Sequence, residues 1–299
     1  MVFEFLKVRF HLRAADRLRF PAGRAANVLR GAFGASLRRV VCVPECAGPA
    51  TCARRLTCAY ARTFEPRAAR GEGPSGLADW PRPFVFRSAH LDGRTILPGQ
   101  TFHFDFHVFD YPPRSGSGPL LPDLVRAFTL VAESGFGPGR GRAELIRTEE
   151  EPVRLPLDGP PPSASRATLR FVTPTELKGG APDAPPETAA EFRILFARIR
   201  DRLSTLNALY GSGPLGIDFR AWGERAAAVR LIRSDLHHVH LDRRSSRTGQ
   251  VHPLGGFVGE AEYAGELGEF IPYLAAAQWT GVGRQTVWGK GEIRLLATA

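Results

Sequence analysis

Apolar and polar positions alternate from the start of the chain. Over residues 2–13, Leu6, Val8, Phe10 and Leu12 fall on one face, and Phe3, Phe5, Lys7, Arg9, His11 and Arg13 on the other. A period of two predicts a strand. Its second face has two open meanings: a sheet edge with a solvated basic face, or a sheet surface that stacks bases and holds phosphates. After Pro21 the period lengthens. Across residues 22–41, Leu29, Phe33, Leu37 and Val40 form one apolar stripe, with Arg24, Asn27, Gly31, Gly34 and Arg38 opposite, the pattern of an amphipathic helix. Two glycines inside a helix cost about 1 kcal/mol each against alanine. They suggest close approach of a backbone or a ligand; the plainer alternative is a solvated arginine face. Residues 101–110 alternate again. Phe102, Phe104, Phe106 and Val108 share a face, leaving His103, Asp105, His107 and Phe109 on the other, with His103 and His107 expected toward solvent. A second helix is predicted over 120–133 and a strand over 142–149.

Pro152, Pro156, Pro160, Pro161 and Pro162 mark a linker over 152–165. Beyond it the pattern predicts a strand at 167–177 and a long helix at 187–210. Phe192, Leu195, Phe196, Ile199, Leu203, Leu206 and Leu209 line one side of that helix. Strands at 227–242 and 257–264, a helix at 267–277 and a strand at 290–296 follow. Residues 67–100, rich in Pro, Gly and Arg, read as a long connection, so the first half reads β-α-(Cys loop)-β-α-β with one strand poorly resolved, and the second half reads β-α-β-β-α-β. The expected fold is α+β: two tandem ferredoxin-like, RRM-related domains over 1–155 and 166–299, with a cysteine-containing insertion (42–66) in the first.

Charge changes the picture. The 299 residues carry a formal net charge of +10. Residues 13–70 hold twelve arginines against Asp16, Glu45 and Glu65, while residues 71–299 sum to zero. A surplus confined to one-fifth of the chain points to a polyanion-binding face, nucleic acid first. No run approaches 18 apolar residues, and Glu4, Lys7 and Arg9 interrupt the N-terminal apolar stretch. The expectation is therefore no membrane span, no signal peptide and a cytoplasmic location, where cysteines stay reduced. Cys42, Cys46, Cys52 and Cys58 are spaced C-x3-C-x5-C-x5-C. Such a cluster suits a structural zinc or an iron–sulfur cluster, although neither C-x2-C pair of a zinc knuckle is present. The competing reading is four small residues buried in a compact loop.

LRGAFGASLRRVVC (29–42), CAYARTFEP (58–66), FVTPTEL (171–177), SSRTGQVHPLGGFVGE (245–260) and GVGRQTVWGKGEI (281–293) occur in that order. Together they resemble the CRISPR precursor-RNA processing endoribonucleases of the RAMP superfamily. The resemblance implies a CRISPR repeat RNA (crRNA) substrate, with other subunits of a CRISPR effector complex as further partners. It also implies cleavage without a metal, with no cofactor for catalysis, leaving a 5′-hydroxyl and a 2′,3′-cyclic phosphate. Two departures stand out. Gly283-Arg284 and Trp288-Gly289-Lys290-Gly291 replace the "GK" and "FGLG" common in relatives, and Arg does not repeat the geometry of Lys at a phosphate. Members of the superfamily often place a catalytic histidine on or just after the first helix, and residues 22–41 contain none.

The chemistry requires a deprotonated 2′-oxygen, an in-line geometry, a stabilised phosphorane and a protonated leaving oxygen. Histidine is the side chain suited to the proton transfers near neutral pH. In SDLHHVHLDRRSSR, alternation places His238, His240 and Asp242 on one face, with Asp242 able to orient His240. His238, His240 and His11 are the catalytic candidates, followed by His252, Tyr60 and Arg62; a polar strand face is the competing reading of the histidine run. Arg24, Asn27 and Arg38 on the first helix, and Arg243 and Arg247, are expected to hold RNA. So are Gly281, Gly283, Arg284, Gln285, Trp288 and Lys290 of the glycine loop, whose closely spaced N–H groups can cradle phosphate and whose tryptophan can stack on a base. Two other classes remain: a non-catalytic RNA-binding RAMP subunit, which the missing helix histidine suits, and a metal-stabilised nucleic-acid-binding regulator read through the cysteines.

Overall fold

The computed structural model describes the chain except residues 44, 47, 49, 67–79, 114–119, 160–161, 179–184 and 245–248. The contacts divide it into two compact units: Glu4–Val153 with Ala208–Ser212, and Met1–Phe3 with Arg154–Asn207 and Gly213–Ala299.

The first unit is built on strand β1 (Val2–Ala14), a short strand β2 (Leu18–Arg19), helix α1 (Ala25–Val41) and helix α2 (Ala59–Phe64). Strands β3 (Phe84–Arg87), β4 (Thr95–Ile96) and β5 (Thr101–Val108), helix α3 (Leu121–Ser134) and strand β6 (Ala143–Pro156) complete it. The sheet order is β3-β5-β1-β6. β1 and β5 are antiparallel, with Phe10 opposite Phe104 and His11 opposite His103. The bonds Leu157 N–H to Met1 O and Ala15 N–H to Arg142 O show that β6 also runs antiparallel to β1. β1 is thus an interior strand, not the sheet edge that its polar face allowed. The strand missing from the pattern is β3. All four of its residues are buried, so no alternation betrayed it. Pro152 and Pro156 lie within β6 rather than in a linker; an edge strand tolerates the missing N–H.

One face of this sheet packs against α1 and α3 through phenylalanines. Phe33 stacks on Phe128 at 4.7 Å between ring centroids, and Phe10 meets the same ring at 4.3 Å. The expected stripe holds: Leu29, Phe33 and Leu37 are buried. The other face departs from expectation. Phe3, Phe5, His107 and Phe109 are buried, and Phe5 packs against His107 at 5.3 Å and Phe109 at 5.9 Å. Phe3 and Phe5 are therefore core residues, not a platform for bases.

The second unit comprises β7 (Arg166–Thr175), a short helix α4 (Pro186–Ala189), α5 (Phe192–Tyr210), α6 (Phe219–Ala228) and β8 (Arg230–Val239). A hairpin, β9 (Asp242–Arg244) and β10 (Val251–Pro253), precedes β11 (Gly256–Ala264), α7 (Ile271–Thr280) and β12 (Ile293–Thr298). The order β12-β7-β11-β8, antiparallel throughout, repeats the ferredoxin-like arrangement. The α5 stripe from Phe192 to Leu209 is buried, and Phe196 packs on Trp222, Phe270 and Tyr273. Helix α6 was absent from the pattern, yet its start is written locally: the Asp218 carboxylate accepts from the N–H groups of Arg220 and Ala221, an N-cap. Among the described residues no helix is long and apolar enough to cross a membrane.

Candidate functional site

Helix α1 presents the predicted polar face. Arg24 and Arg38 are exposed, and Asn27 is half-buried. The two glycines on this face differ. A Cβ on Gly34 would come within 3.1 Å of the Phe64 ring, whereas one on Gly31 would meet nothing within 4 Å. Gly34 therefore serves close packing inside the unit, and Gly31 leaves bare backbone open to solvent. The first N–H of the helix is already satisfied, since Ala25 donates to Asp92 Oδ1 at 2.7 Å.

The arginine surplus sorts into paired and unpaired groups. Arg62 is 2% exposed and bonds Asp110 Oδ2 through Nε at 3.1 Å and Nη2 at 2.9 Å, so it is a buried structural cation and not a catalytic candidate. Its neighbour Tyr60 stacks on Phe64 at 5.4 Å. By contrast Arg17, Arg19, Arg24, Arg38, Arg39, Arg54 and Arg55 are exposed. Among the described residues none of these seven meets a carboxylate within ion-pair distance.

The basic face of β1 is neutralised. Lys7 pairs with Glu151, Arg9 with Asp105 at 2.6 Å, and Arg13 with Glu144 at 3.6 Å. Burial acts to raise the Asp105 carboxyl, but the hydrogen bond and charge of Arg9 outweigh it and hold the group below the usual carboxylate value. His11 Nε2 lies 3.1 Å from Glu149 Oε1, and that contact draws the Glu149 carboxyl down. Across the strands His11 faces His103, whose ring stacks on His90 at 4.6 Å. Burial, then the nearby His90 and Arg9, lower the His103 imidazole. The sequence pattern missed this three-histidine row because it depends on the register between β1 and β5 and on the Ala89–Leu91 turn that brings His90 against His103.

Cys42, Cys46, Cys52 and Cys58 are free thiols that line one cavity of about 330 Å³, shared with Val40, Thr57, Arg54, Asp123 and Arg126. They are half-buried rather than packed into the core. Burial, followed by the neighbouring Cys46, pushes the Cys42 thiol up. Among the described residues no three His, Cys, Asp or Glu side chains already stand in a metal-holding arrangement.

In the second unit the histidine run closes edge strand β8, none of whose residues is buried. His237, His238 and His240 are all exposed. As alternation required, His238 and His240 stack side by side at 6.4 Å. Asp242 begins β9 instead of continuing the strand, and among the described residues no hydrogen bond or ion pair joins it to His240. The β9–β10 hairpin sets Arg243 opposite His252; Arg247 lies outside the described residues. His252 approaches Trp288 at 6.2 Å, and Gln285 Nε2 donates to Pro253 O. The hairpin and the glycine loop thus form one surface carrying His252, Arg284, Gln285 and Trp288.

The loop's glycines are explained by packing. A Cβ on Gly283 (φ 79°) would lie 2.3 Å from Glu176 O, and one on Gly291 (φ 68°) 1.8 Å from Val282 O. Gly281 is likewise buried. The loop is a braced turn: Arg284 N–H donates to Glu176 O at 3.0 Å, and its guanidinium pairs with Glu176 Oε1 at 2.6 Å. Lys290, between Gly289 and Gly291, is 3% exposed, unlike the exposed Arg284 of the same loop.

Two family models match the chain. An N-terminal domain family, AF_1859_N, covers residues 3–155. The model of the CRISPR-associated endoribonuclease Cas6 covers residues 169–293, the histidine strand, hairpin and glycine loop included. Residues 169–293 of the chain belong to the Cas6 family. Solved Cas6 structures share its fold from end to end. A Cas6 (TTHB231) product complex is 18% identical, covering 98% of this chain and 100% of that one, with a TM-score of 0.56. A Cas6 (TTHA0078) product complex is 19% identical, covering 99% and 100%, at 0.54. Thermus thermophilus Cas6 (TTHB231) is 19% identical, covering 99% of each chain, at 0.53. At these identities the likeness concerns the fold alone. No curated protein sequence matches the chain. The sequence named His252 and Trp288 separately but not as neighbours: they are distant along the chain, and only the hairpin brings them together.

Proposed function

We propose that this Cas6-family chain recognises CRISPR repeat RNA and cleaves the precursor transcript within the repeats, without a metal. The 2′-hydroxyl attacks the adjacent phosphate, giving a 2′,3′-cyclic phosphate on one product and a 5′-hydroxyl on the other. The observation that carries the RNA reading is the set of seven exposed arginines with no carboxylate partner among the described residues. A folded protein normally pairs or disperses such charge, and an unpaired field of one sign attracts phosphate. Arg24, Asn27 and Arg38 on α1 would hold the backbone of the RNA. Arg284, Gln285 and Trp288, with Arg243 in the hairpin, would engage it in the second unit. Arginine stays protonated and binds rather than shuttles protons, so the proton transfers fall to histidine. His238 and His240 sit side by side and exposed, His252 lies beside Trp288, and His11 stands in the other unit.

The absence of histidine from Ala25–Val41 favours a second reading, a non-catalytic RNA-binding subunit of a CRISPR effector complex. Incubation of the purified chain with its cognate repeat RNA in EDTA separates the two. Cleavage is expected; tight binding with no cut would overturn the nuclease in favour of the subunit. Single-turnover rates of His238→Ala, His240→Ala and His11→Ala then test the assignment, which fails if all three cut at the wild-type rate.

A further inference from the structure

Among its described residues, the segment from Cys42 to Cys58 has no core of its own. None of its described residues is buried, and apart from the cysteines only Val43 and Gly48 are even half-buried. Leu56, its largest apolar side chain, is 60% exposed. Long connections without secondary structure are uncommon in compact domains and are costly to close. What this one turns inward is sulfur: all four thiols line the same cavity.

The backbone prepares each thiol in the same way. Cys42, Cys46, Cys52 and Cys58 donate their N–H groups to the carbonyls of Arg38, Val43, Gly48 and Arg54, three or four residues back. Each cysteine therefore closes a tight turn. The outer two are fixed to regular structure, with Cys42 capping the end of α1 and Cys58 the start of α2. Ligands held on helix ends are placed more firmly than ligands on free loops. Four thiolates around a divalent ion leave two net negative charges; Arg54 lines the cavity and Arg38 lies close to Cys42, while Asp123, also on the cavity wall, is paired with Arg126 at 3.5 Å.

We propose that Cys42, Cys46, Cys52 and Cys58 bind one zinc ion as a four-thiolate structural centre that ties the end of α1 to the start of α2. Zinc is favoured over iron–sulfur because a d10 ion accepts tetrahedral sulfur from any loop spacing, whereas the x3, x5, x5 spacing here matches neither of the cysteine runs typical of ferredoxin clusters. Binding breaks four S–H bonds, forms four Zn–S bonds and releases the protons to water; no oxidant or reductant takes part. With four protein ligands no coordination position remains for substrate, so the centre orders the arginine-bearing segment and takes no part in RNA cleavage.

The test is metal analysis of the full chain purified under reducing conditions without chelator, with no RNA present. The expected result is about one zinc per chain, released when a mercurial titrates the thiols. Replacement by Co²⁺ should give the strong thiolate-to-cobalt absorption of a tetrahedral sulfur site. Cys46→Ser and Cys52→Ser, within the segment, should each lose the metal. Should these variants fail to fold, the mercurial release and cobalt spectrum of the wild-type chain still decide. Four reactive thiols with no zinc bound after exposure to it, iron with inorganic sulfide, or cysteines found as disulfides would each overturn the proposal.

Discussion

Gly31→Ala separates what α1 does for folding from what it does for RNA. Gly31 is exposed in the interior of a 17-residue helix, and an added Cβ meets nothing within 4 Å. With no steric cost, the substitution should recover the helix propensity that glycine forfeits, about 1 kcal/mol. In a unit of this size such a gain raises the melting temperature by about 2–4 °C. Gly34→Ala is the internal control: its Cβ must displace the Phe64 ring, 3.1 Å away, so it should gain less than Gly31→Ala. Binding should move the other way. A methyl group at residue 31 would stand between the bare backbone and the RNA strand that Arg24, Asn27 and Arg38 are proposed to hold. Loss of that approach at about 1 kcal/mol would weaken affinity roughly fivefold. Calorimetry of the free protein and titration with repeat RNA read the two effects separately. A more stable variant with unchanged RNA affinity would refute the role given to the polar face of α1. A less stable one would refute the packing argument itself.

Asp110→Ala leaves the Arg62 guanidinium without its bonded carboxylate in a buried site and should cost about 3–5 kcal/mol of stability; a loss below 1 kcal/mol in urea unfolding would contradict the structural role of the pair. His103 is held below its ordinary value, so the unfolded chain takes up its proton at higher pH than the folded one. Its contribution to stability is therefore complete above about 6.5 and declines as pH falls below it. Unfolding curves at pH 7.5 and 5.5 should show that decline, and His103→Gln should reduce it; an unchanged slope would point elsewhere. RNA affinity should fall steeply with salt, and Arg38→Ala with Arg39→Ala should flatten the log–log slope by about 0.7 per contact if the RNA is single-stranded. An unchanged slope would remove these arginines from the interface.

The elements with clear periodicity were legible in the sequence. The α1 stripe, the Phe-rich β5 and the long α5 were all visible because one face of each is buried against a single core. Three things escaped for different physical reasons. β3 is buried on both faces and so does not alternate. Helix α6 has few apolar residues to mark a stripe, and its clearest sign was the Asp218 cap. Pro152 and Pro156 read as a linker because proline is usually outside strands, yet β6 is an edge. At the candidate site the arginine surplus was legible but its division was not: Arg62 lies buried against Asp110, 48 positions along the chain, while Arg24 and Arg38 are exposed. Likewise the glycine loop could be found, but only the packing of Gly283 and Gly291 against backbone oxygens shows that those glycines make a turn, with Arg284 exposed and Gln285 and Trp288 half-buried beside the hairpin.

The central claim is cleavage by the RNA's own 2′-oxygen, and it is tested most directly by changing that atom. Cognate repeat RNA and the same RNA carrying a single 2′-deoxy nucleotide at the cut site would be incubated with the chain in EDTA. The account predicts one cut in the first, ending in a 2′,3′-cyclic phosphate, and no cut in the second despite equal binding. Cleavage of the 2′-deoxy substrate, or cleavage that EDTA abolishes, would contradict it.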